Sequence, residues 1–297
     1  MSLFSGAGGF DIGATDNGFV TAYACDWEKN SQRFYQNNFP DVPFDLTDVR
    51  NVTLKRINEV REKLSLPGLV CGEIDVLSGG SPCVKLAACN TVDARHFAPE
   101  NMLMYETLPK IVLDLQPKIA VFENSDRLCS KGNEPVLMEY IASIKNLLPN
   151  YWYQIKVLNA KRFGALQSRS RSIVILIRKD IMKNHSLFPT KEPIDLSKQG
   201  VDAVLPHVVE FSAGQFKAKF KPAQGRIFCT LTAHSSQLVK EANMKIRKVS
   251  VEECKALTGM TGYDFTSICQ TGQYMLLGNM VMRQMTRRLF ANFKQFL

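Results

Sequence analysis

The residues best placed to do chemistry are a cysteine, a glutamate, a pair of arginines and a glycine-rich loop. Cys83 lies in the stretch Ile74 to Asn90, IDVLSGGSPCVKLAACN. Ile74, Val76 and Leu77 form an apolar run of buried-strand length, expected to break at Gly79 and Gly80 and deliver Ser81, Pro82 and Cys83 into a loop. The glycine pair permits close backbone approach to a ligand or a positive φ. Pro82 fixes its own φ and biases Ser81 away from helix. A thiol presented just past a strand's carboxyl end sits where open α/β sheets hold their ligands, and its thiolate form is a nucleophile. A free cysteine is as readily a small buried hydrophobe, so Cys83 by itself reads both ways.

Three further groups fit one site. Ser5 to Gly9 (SGAGG) follows a short apolar run and precedes a helix-like stretch, so bare amides and a helix N-terminus could meet a polar ligand there. It lacks the spacing of the dinucleotide fingerprint GxGxxG. Asp26, about 20 residues on, suits ribose hydroxyls as an acceptor, and Trp27 offers a flat face to an adenine ring; an N-cap and a core aromatic are the plain alternatives. A ribose-plus-adenine ligand without a pyrophosphate loop favours S-adenosylmethionine over NAD. Glu123 and Asn124 close another apolar run, Ile119 to Phe122. Arg169 and Arg171 alternate with Ser170 on a strand, which places both on one face.

The elements that must position these residues alternate in the manner of a parallel sheet covered by helices. Strand-like runs are expected at Leu3-Phe4, Val20 to Cys25, Val42 to Leu46, from Ile74, and at Ile119 to Phe122, Tyr153 to Leu158 and Ser172 to Ile177. Helices are expected over about 10–18, 28–38, 52–66, 100–115 (interrupted by Pro109) and 134–148. Gly6 and Gly8, Asp26, Asp45, Cys83 and Glu123 all fall at strand carboxyl ends, which suggests a single site along one sheet edge. The fold class is therefore α/β, with a mostly parallel, Rossmann-like sheet. After Asn184 the texture changes to prolines, short β-like pieces (208–211 and 227–229) and many lysines. The expected division is a catalytic domain over 1–184, completed by 274–297, and a smaller irregular domain over 185–273. Helical pattern returns at 251–257 and at 282–296.

The chain has 297 residues, a formal net charge of +9 and 45% hydrophobic residues. The charge points to a polyanionic partner such as nucleic acid. No apolar run reaches the roughly 18 residues of a membrane span, and the amino terminus lacks the layout of a secretory signal. The eight cysteines show no CxxC pair and no zinc spacing with the four histidines. Reduced thiols in a cytosol are the expectation.

These motifs in this order resemble the DNA cytosine-5 methyltransferase family, over nearly the whole chain. Phe4 to Gly9 (FSGAGG) resembles the first motif, around the methionine part of the cofactor; Asp26-Trp27 the second; Asp45-Leu46 the adenine-contacting pair of the third. Gly80 to Cys83 (GSPC) resembles the nucleophile motif, and Glu123-Asn124 the Glu-Asn motif. Leu158 to Ala160, Gly164 and Gln167-x-Arg169-x-Arg171 resemble the eighth, Arg247 to Glu253 (RKVSVEE) the ninth, and Gly278 to Val281 (GNMV) the tenth, which returns to the cofactor pocket. The resemblance implies that Cys83 adds to carbon 6 of cytosine, that Glu123 acts at ring nitrogen 3 and the exocyclic amino group with a pKa raised by burial, and that one of Arg169 and Arg171 contacts the cytosine carbonyl and braces Glu123. Lowering the thiol pKa from about 8.5 to about 7 needs roughly 2 kcal/mol of preferential anion stabilisation. The implied cofactor-binding set is Phe4, Gly6, Gly8, Gly9, Asp26, Trp27, Asp45, Leu46, Pro82, Asn279 and Val281.

The implied cofactor is S-adenosylmethionine, leaving as S-adenosylhomocysteine, with no metal. The implied partner is double-stranded DNA with a flipped target cytosine, a loop over 84–101 closing on it and 185–248, within the target-recognition domain 185–273, reading the major groove. A monomer, without membrane association, is expected in a prokaryotic or phage-containing cytoplasm, near the nucleoid and beside a cognate restriction endonuclease. The chain departs from the family pattern at Val84 (usually Gln), Ala87, Cys89, Ser125 (usually Val) and Met280, and lacks the proline usual before Gln167. It begins almost on its first strand, so that either the strand is expected to be short or the start truncated. The competing expectations are methylation of tRNA cytosine and, from Val84, a catalytically weakened DNA-binding relative; an NAD-dependent dehydrogenase is more distant.

Overall fold

The computed structural model describes residues 1–82, 102–183, 185–189, 200–213, 219–233 and 237–297. Cys83 and the 84–101 loop lie outside the described residues. A seven-stranded sheet takes the order β3-β2-β1-β4-β5-β7-β6. Its strands are β1 (Ser2–Leu3), β2 (Ala24–Asp26), β3 (Phe44–Leu46), β4 (Val76–Gly80), β5 (Ile119–Ser125), β6 (Tyr151–Asn159) and β7 (Ser170–Arg178). The first five run parallel, and β7 is antiparallel to both β5 and β6. Chain order reverses between β1 and β4, so the crevice for a ligand opens beyond their carboxyl ends.

Helices α1 (Gly9–Thr15), α2 (Lys29–Asn38), α3 (Leu54–Glu62), α4 (Leu108–Leu115) and α5 (Glu134–Leu147) cover the sheet. β5 and β7 carry uninterrupted apolar runs because both of their faces are covered. On one face Leu108, Val112, Tyr140 and Ile144 of α4 and α5 pack over Leu77, Ala120 and Val174. On the other, Phe10 of α1 packs with Met285, Leu289 and Phe293 of a C-terminal helix over Val121, Ile173 and Ile175.

Residues 200–297 contribute α6 (Val201–Val204), an antiparallel sheet of order β11-β10-β8-β9, and helices α7 (Val251–Thr258), α8 (Gln270–Asn279) and α9 (Arg283–Phe293). The sheet comprises β8 (Val208–Ser212), β9 (Lys221–Pro222), β10 (Leu238–Glu241) and β11 (Ile246–Lys248). Its apolar side shares one core with α2: Phe211, Phe228, Leu257 and Leu276 cluster with Phe34 and Tyr35. Among the described residues, no helix is long and apolar enough to cross a membrane.

Three local expectations change. The break expected at Gly79 and Gly80 falls just after the pair: both glycines belong to β4, pairing with Phe122 and Glu123, and Gly80 is its last residue. A Cβ on Gly79 would lie 3.2 Å from Leu3, so that glycine serves close packing in place of a turn. Pro109 does not interrupt its helix. It stands at the junction where a π-helical segment, Leu103–Thr107, runs straight into α4, so the irregularity at this proline is a change of helix type just before it and not a break in the chain's helical path. Residues 227–229 form no strand, only a single parallel bridge from Phe228 to Gln167.

α7 opens with a capping box: Ser250 and Glu253 satisfy each other's backbone amides. The buried Glu253 carboxylate also takes Arg247 at 2.8 and 2.9 Å and His207 at 2.7 Å. Burial alone would raise its carboxyl, but Arg247, the Ser250 amide and His207 outweigh that and hold it at about 2, against an ordinary 4.5. A folded-state value below the unfolded one gives stability that is complete above about pH 4.5 and lost as the pH falls towards 2. The group is worth about 3 kcal/mol. Glu253→Gln is therefore expected to lower the urea midpoint at pH 7 and to flatten the acid limb of stability against pH. An unchanged acid limb would contradict this.

Candidate active site

The switch point holds a cavity of about 350 Å³. Its floor is the loop from β1 into α1. Phe4, Gly6 and Gly8 there take positive φ (50°, 53° and 68°), a conformation that is costly for a bulky residue such as Phe4 and easy for the glycines. Gly9 is pressed against the other side of the loop: a Cβ there would lie 2.2 Å from the Val281 carbonyl oxygen. Thr286 Oγ1 donates to the Gly9 carbonyl at 2.7 Å, so the chain's C-terminal helix clasps its N-terminal loop.

At the end of β2, Asp26 accepts from the Gly6 amide and the Glu28 amide, both at 2.9 Å. Burial pushes its carboxyl up, partly offset by those amides and by Ser31. Trp27 beside it is 72% exposed, an open aromatic face on the cavity rim. This is unlike a core tryptophan, which buries its large apolar face.

The ends of β4 and β5 form the opposite wall. Gly80 pairs in register with Glu123, and a Cβ on Gly80 would lie 3.1 Å from Glu123 Oε2. Asn124 Nδ2 donates to Ser81 Oγ at 2.9 Å and to the Ser81 carbonyl at 3.3 Å, tying the Glu-Asn pair to the segment leading into Cys83. Glu123 is buried, and its Oε1 lies 2.6 Å from Arg171 Nε. Arg169, also buried, sends Nη1 to the Leu231 carbonyl at 3.1 Å. Both arginines face the cavity with different partners.

Of the sequence-derived residues, Phe4, Gly6, Gly9, Asp26, Trp27, Pro82, Glu123, Arg169, Arg171, Asn279 and Val281 line this cavity. Gly8 shapes the loop from beneath, against Phe39 and Tyr35. Asp45 and Leu46 are not among the lining residues. The Asp45 carboxylate accepts from Arg56 Nε at 2.6 Å, Arg56 Nη2 at 2.9 Å and the Tyr23 hydroxyl at 2.9 Å, and so staples α3 to β3. Sequence reasoning missed Glu28, Ser31, Ser125 and Met275 in the lining. Glu28, as the side-chain cap of α2 beside Asp26, had a signal in its position; Met275 on α8 had none. Among the described residues no cluster of three His, Cys, Asp or Glu side chains could hold a metal ion.

A seven-stranded sheet of this order, with an antiparallel β7, a glycine loop after β1 and acidic residues at the ends of β2 and β5, is a methyltransferase fold. The family model of C-5 cytosine-specific DNA methylases matches residues 1–210, and the chain belongs to that family. It is 28% identical over 207 residues to the Type II methyltransferase M.HhaI of Haemophilus parahaemolyticus, covering 69% of this chain and 56% of that protein. It is 34% identical over 181 residues to M.AquIA of Picosynechococcus, covering 59% of this chain and 70% of the relative. The chain thus spans little more than half the length of M.HhaI. In fold it is similar to a mutant DNMT2 of Spodoptera frugiperda (TM-score 0.66, 17% identity, 99% and 98% of the two chains) and to the methyltransferase EhMeth of Entamoeba histolytica (TM-score 0.63, 16% identity, 99% and 97%).

Proposed function

We propose that the chain transfers a methyl group from S-adenosylmethionine to carbon 5 of a cytosine flipped out of duplex DNA, in a specific sequence context, through a covalent adduct on Cys83. The observation that carries the reading is the placement of Glu123. It pairs in register with the strand leading to Cys83, is joined to Arg171, and shares a cavity with Pro82, Asp26 and Trp27.

Carbon 5 of cytosine is a poor nucleophile, and covalent catalysis splits its methylation into easier steps. The Cys83 thiolate forms a bond to carbon 6, and the ring's double-bond electrons move so that carbon 5 becomes enamine-like. Negative charge develops on the far side of the ring. Glu123 meets ring nitrogen 3 and the exocyclic amino group there, and Arg171, paired in charge with Glu123, meets the carbonyl oxygen. Groups already held in place stabilise developing charge without reorganising. Carbon 5 takes the methyl and loses its proton to a base; the carbon 6–sulfur bond then breaks and returns the thiolate.

S-adenosylmethionine supplies the methyl on a sulfonium sulfur. Phe4, Gly6 and Gly9 would cradle its methionine part, Asp26 its ribose hydroxyls and Trp27 its adenine, with Asn279 and Val281 closing the pocket. Asp26 keeps lone pairs beyond those its two backbone amides occupy, so the acceptor role fits the geometry. The region 185–273, with its antiparallel sheet, would carry DNA recognition. The Type II names of the relatives point to a cognate endonuclease as a functional partner.

Incubation with tritiated S-adenosylmethionine and either duplex DNA or tRNA tests the reading. Label is expected in DNA, at least about 10³-fold less with Cys83→Ala, as for loss of a covalent nucleophile. Label in tRNA alone, or DNA binding without label, would contradict it.

A further inference from the structure

Residues 228–233 touch three parts of the molecule at once. They run beside 166–169: the Phe228 amide donates to the Leu166 carbonyl and the Ser168 amide to the Phe228 carbonyl, each at 2.8 Å. Thr230 Oγ1 donates to the Ser168 carbonyl at 2.6 Å. The Leu231 amide donates to Gln167 Oε1 at 3.1 Å, and the Leu231 carbonyl accepts from Arg169 Nη1 at 3.1 Å. Both polar groups of one backbone residue are thus held by side chains two positions apart. Gln167 is fully buried but is not a cavity-lining residue.

On its other side the segment lies directly against α8. A Cβ on Gly278 would come within 2.4 Å of the Thr232 carbonyl carbon, immediately before the cavity-lining Asn279. The third contact is Gln237, whose Nε2 donates to the Thr230 carbonyl at 3.1 Å and to Thr232 Oγ1 at 3.3 Å. β10 of the antiparallel sheet begins at the next residue, Leu238. An arginine of the site wall, the helix of the cofactor wall and the second sheet therefore meet on a few peptides.

We propose that Gln167 is a positioning residue: by holding the Leu231 amide it locks residues 228–233 against Arg169 and α8, so that nucleic acid engaging the second sheet sets the geometry of the methyl-transfer site. The inference rests on the proposed function for what engages the sheet, but the lock itself is a property of the chain alone. Two sites coupled through one such element commonly influence each other by about 5- to 150-fold.

Two substitutions separate positioning from packing. Gln167→Met keeps the volume and loses the acceptor; Gln167→Glu keeps an acceptor facing the Leu231 amide. With duplex DNA, Gln167→Met is expected to lower kcat about tenfold with KM for DNA within about threefold, and Gln167→Glu to recover most of the loss. Wild-type kcat in Gln167→Met, a worse result for Glu than for Met, or a change confined to KM would overturn the proposal. Hydrogen exchange on the protein alone provides an arm independent of activity. Faster exchange in Gln167→Met at 228–233, spreading to 270–281, is expected; loosening confined to 228–233 would overturn the lock. Should wild-type protein label no DNA, the functional reading fails and the exchange result alone decides the lock.

Discussion

Glu123→Gln is expected to lower methyl transfer by about 10²- to 10³-fold, the cost of removing one preorganised charge-stabilising group from a buried site. The amide keeps the shape of the side chain, so β5, its register with Gly80 and the fold should survive. Two things change. Arg171 loses the carboxylate charge 2.6 Å from its Nε. The group at the end of β5 can no longer hand a proton to a ring nitrogen or take one back. The loss should appear in kcat, with S-adenosylhomocysteine binding by calorimetry unchanged within about twofold, because the interaction is made with the reacting base. Arg171→Lys should fall in the same direction, since an ammonium cannot reproduce the planar fork that, in the proposed complex, would face both the Glu123 carboxylate and the base carbonyl. Near-normal kcat in Glu123→Gln would remove this residue from the chemistry.

Gly9→Ala is expected to have the second large effect, on cofactor binding and stability together. Its Cβ would sit 2.2 Å from the Val281 carbonyl oxygen and 3.1 Å from the Val281 carbonyl carbon, both backbone atoms that no rotamer change can move. Either the β1–α1 loop or the segment between α8 and α9 must shift, and both line the cavity. Overpacking of this kind costs about 1–3 kcal/mol. A lower melting temperature and at least tenfold weaker S-adenosylhomocysteine binding are expected. Gly262→Ala is the control, because a Cβ there meets nothing within 4 Å. Equal behaviour of the two variants would show that the clasp between loop and C-terminal helix does not matter.

The frame of the site was legible in the sequence because strand carboxyl ends are marked locally. An apolar run such as Ile119 to Phe122, followed at once by Glu123-Asn124, needs no partner to be recognised. Arg169 and Arg171 share a face by strand period alone. Their separate tasks were not legible, since Arg171 is assigned by Glu123 and Arg169 by Leu231, contacts made across 48 and 62 positions of chain. Asp45 shows the same limit from the other side: its strand-end position invites a ligand role, and only the fold reveals Arg56 and Tyr23 on its carboxylate. Gly79 and Gly80 read as room for a ligand or for a positive φ because glycine's local meaning is freedom, whereas at Gly79 the reason is a neighbouring strand too close for a Cβ. The antiparallel sheet of β8 to β11 was only half visible, its strands being three to five residues long where longest and its apolar side completed by α2.

The central claim is a reversible bond between the sulfur at position 83 and carbon 6 of the target base. A pool of duplexes carrying 5-fluorocytosine tests it most directly, because fluorine at carbon 5 cannot leave as a proton does and the adduct cannot resolve. With S-adenosylmethionine present, a protein–DNA complex stable to denaturing electrophoresis is expected, absent for Cys83→Ala and absent with unfluorinated DNA. No stable complex with wild-type protein that methylates ordinary DNA, or one that persists in Cys83→Ala, would contradict the account.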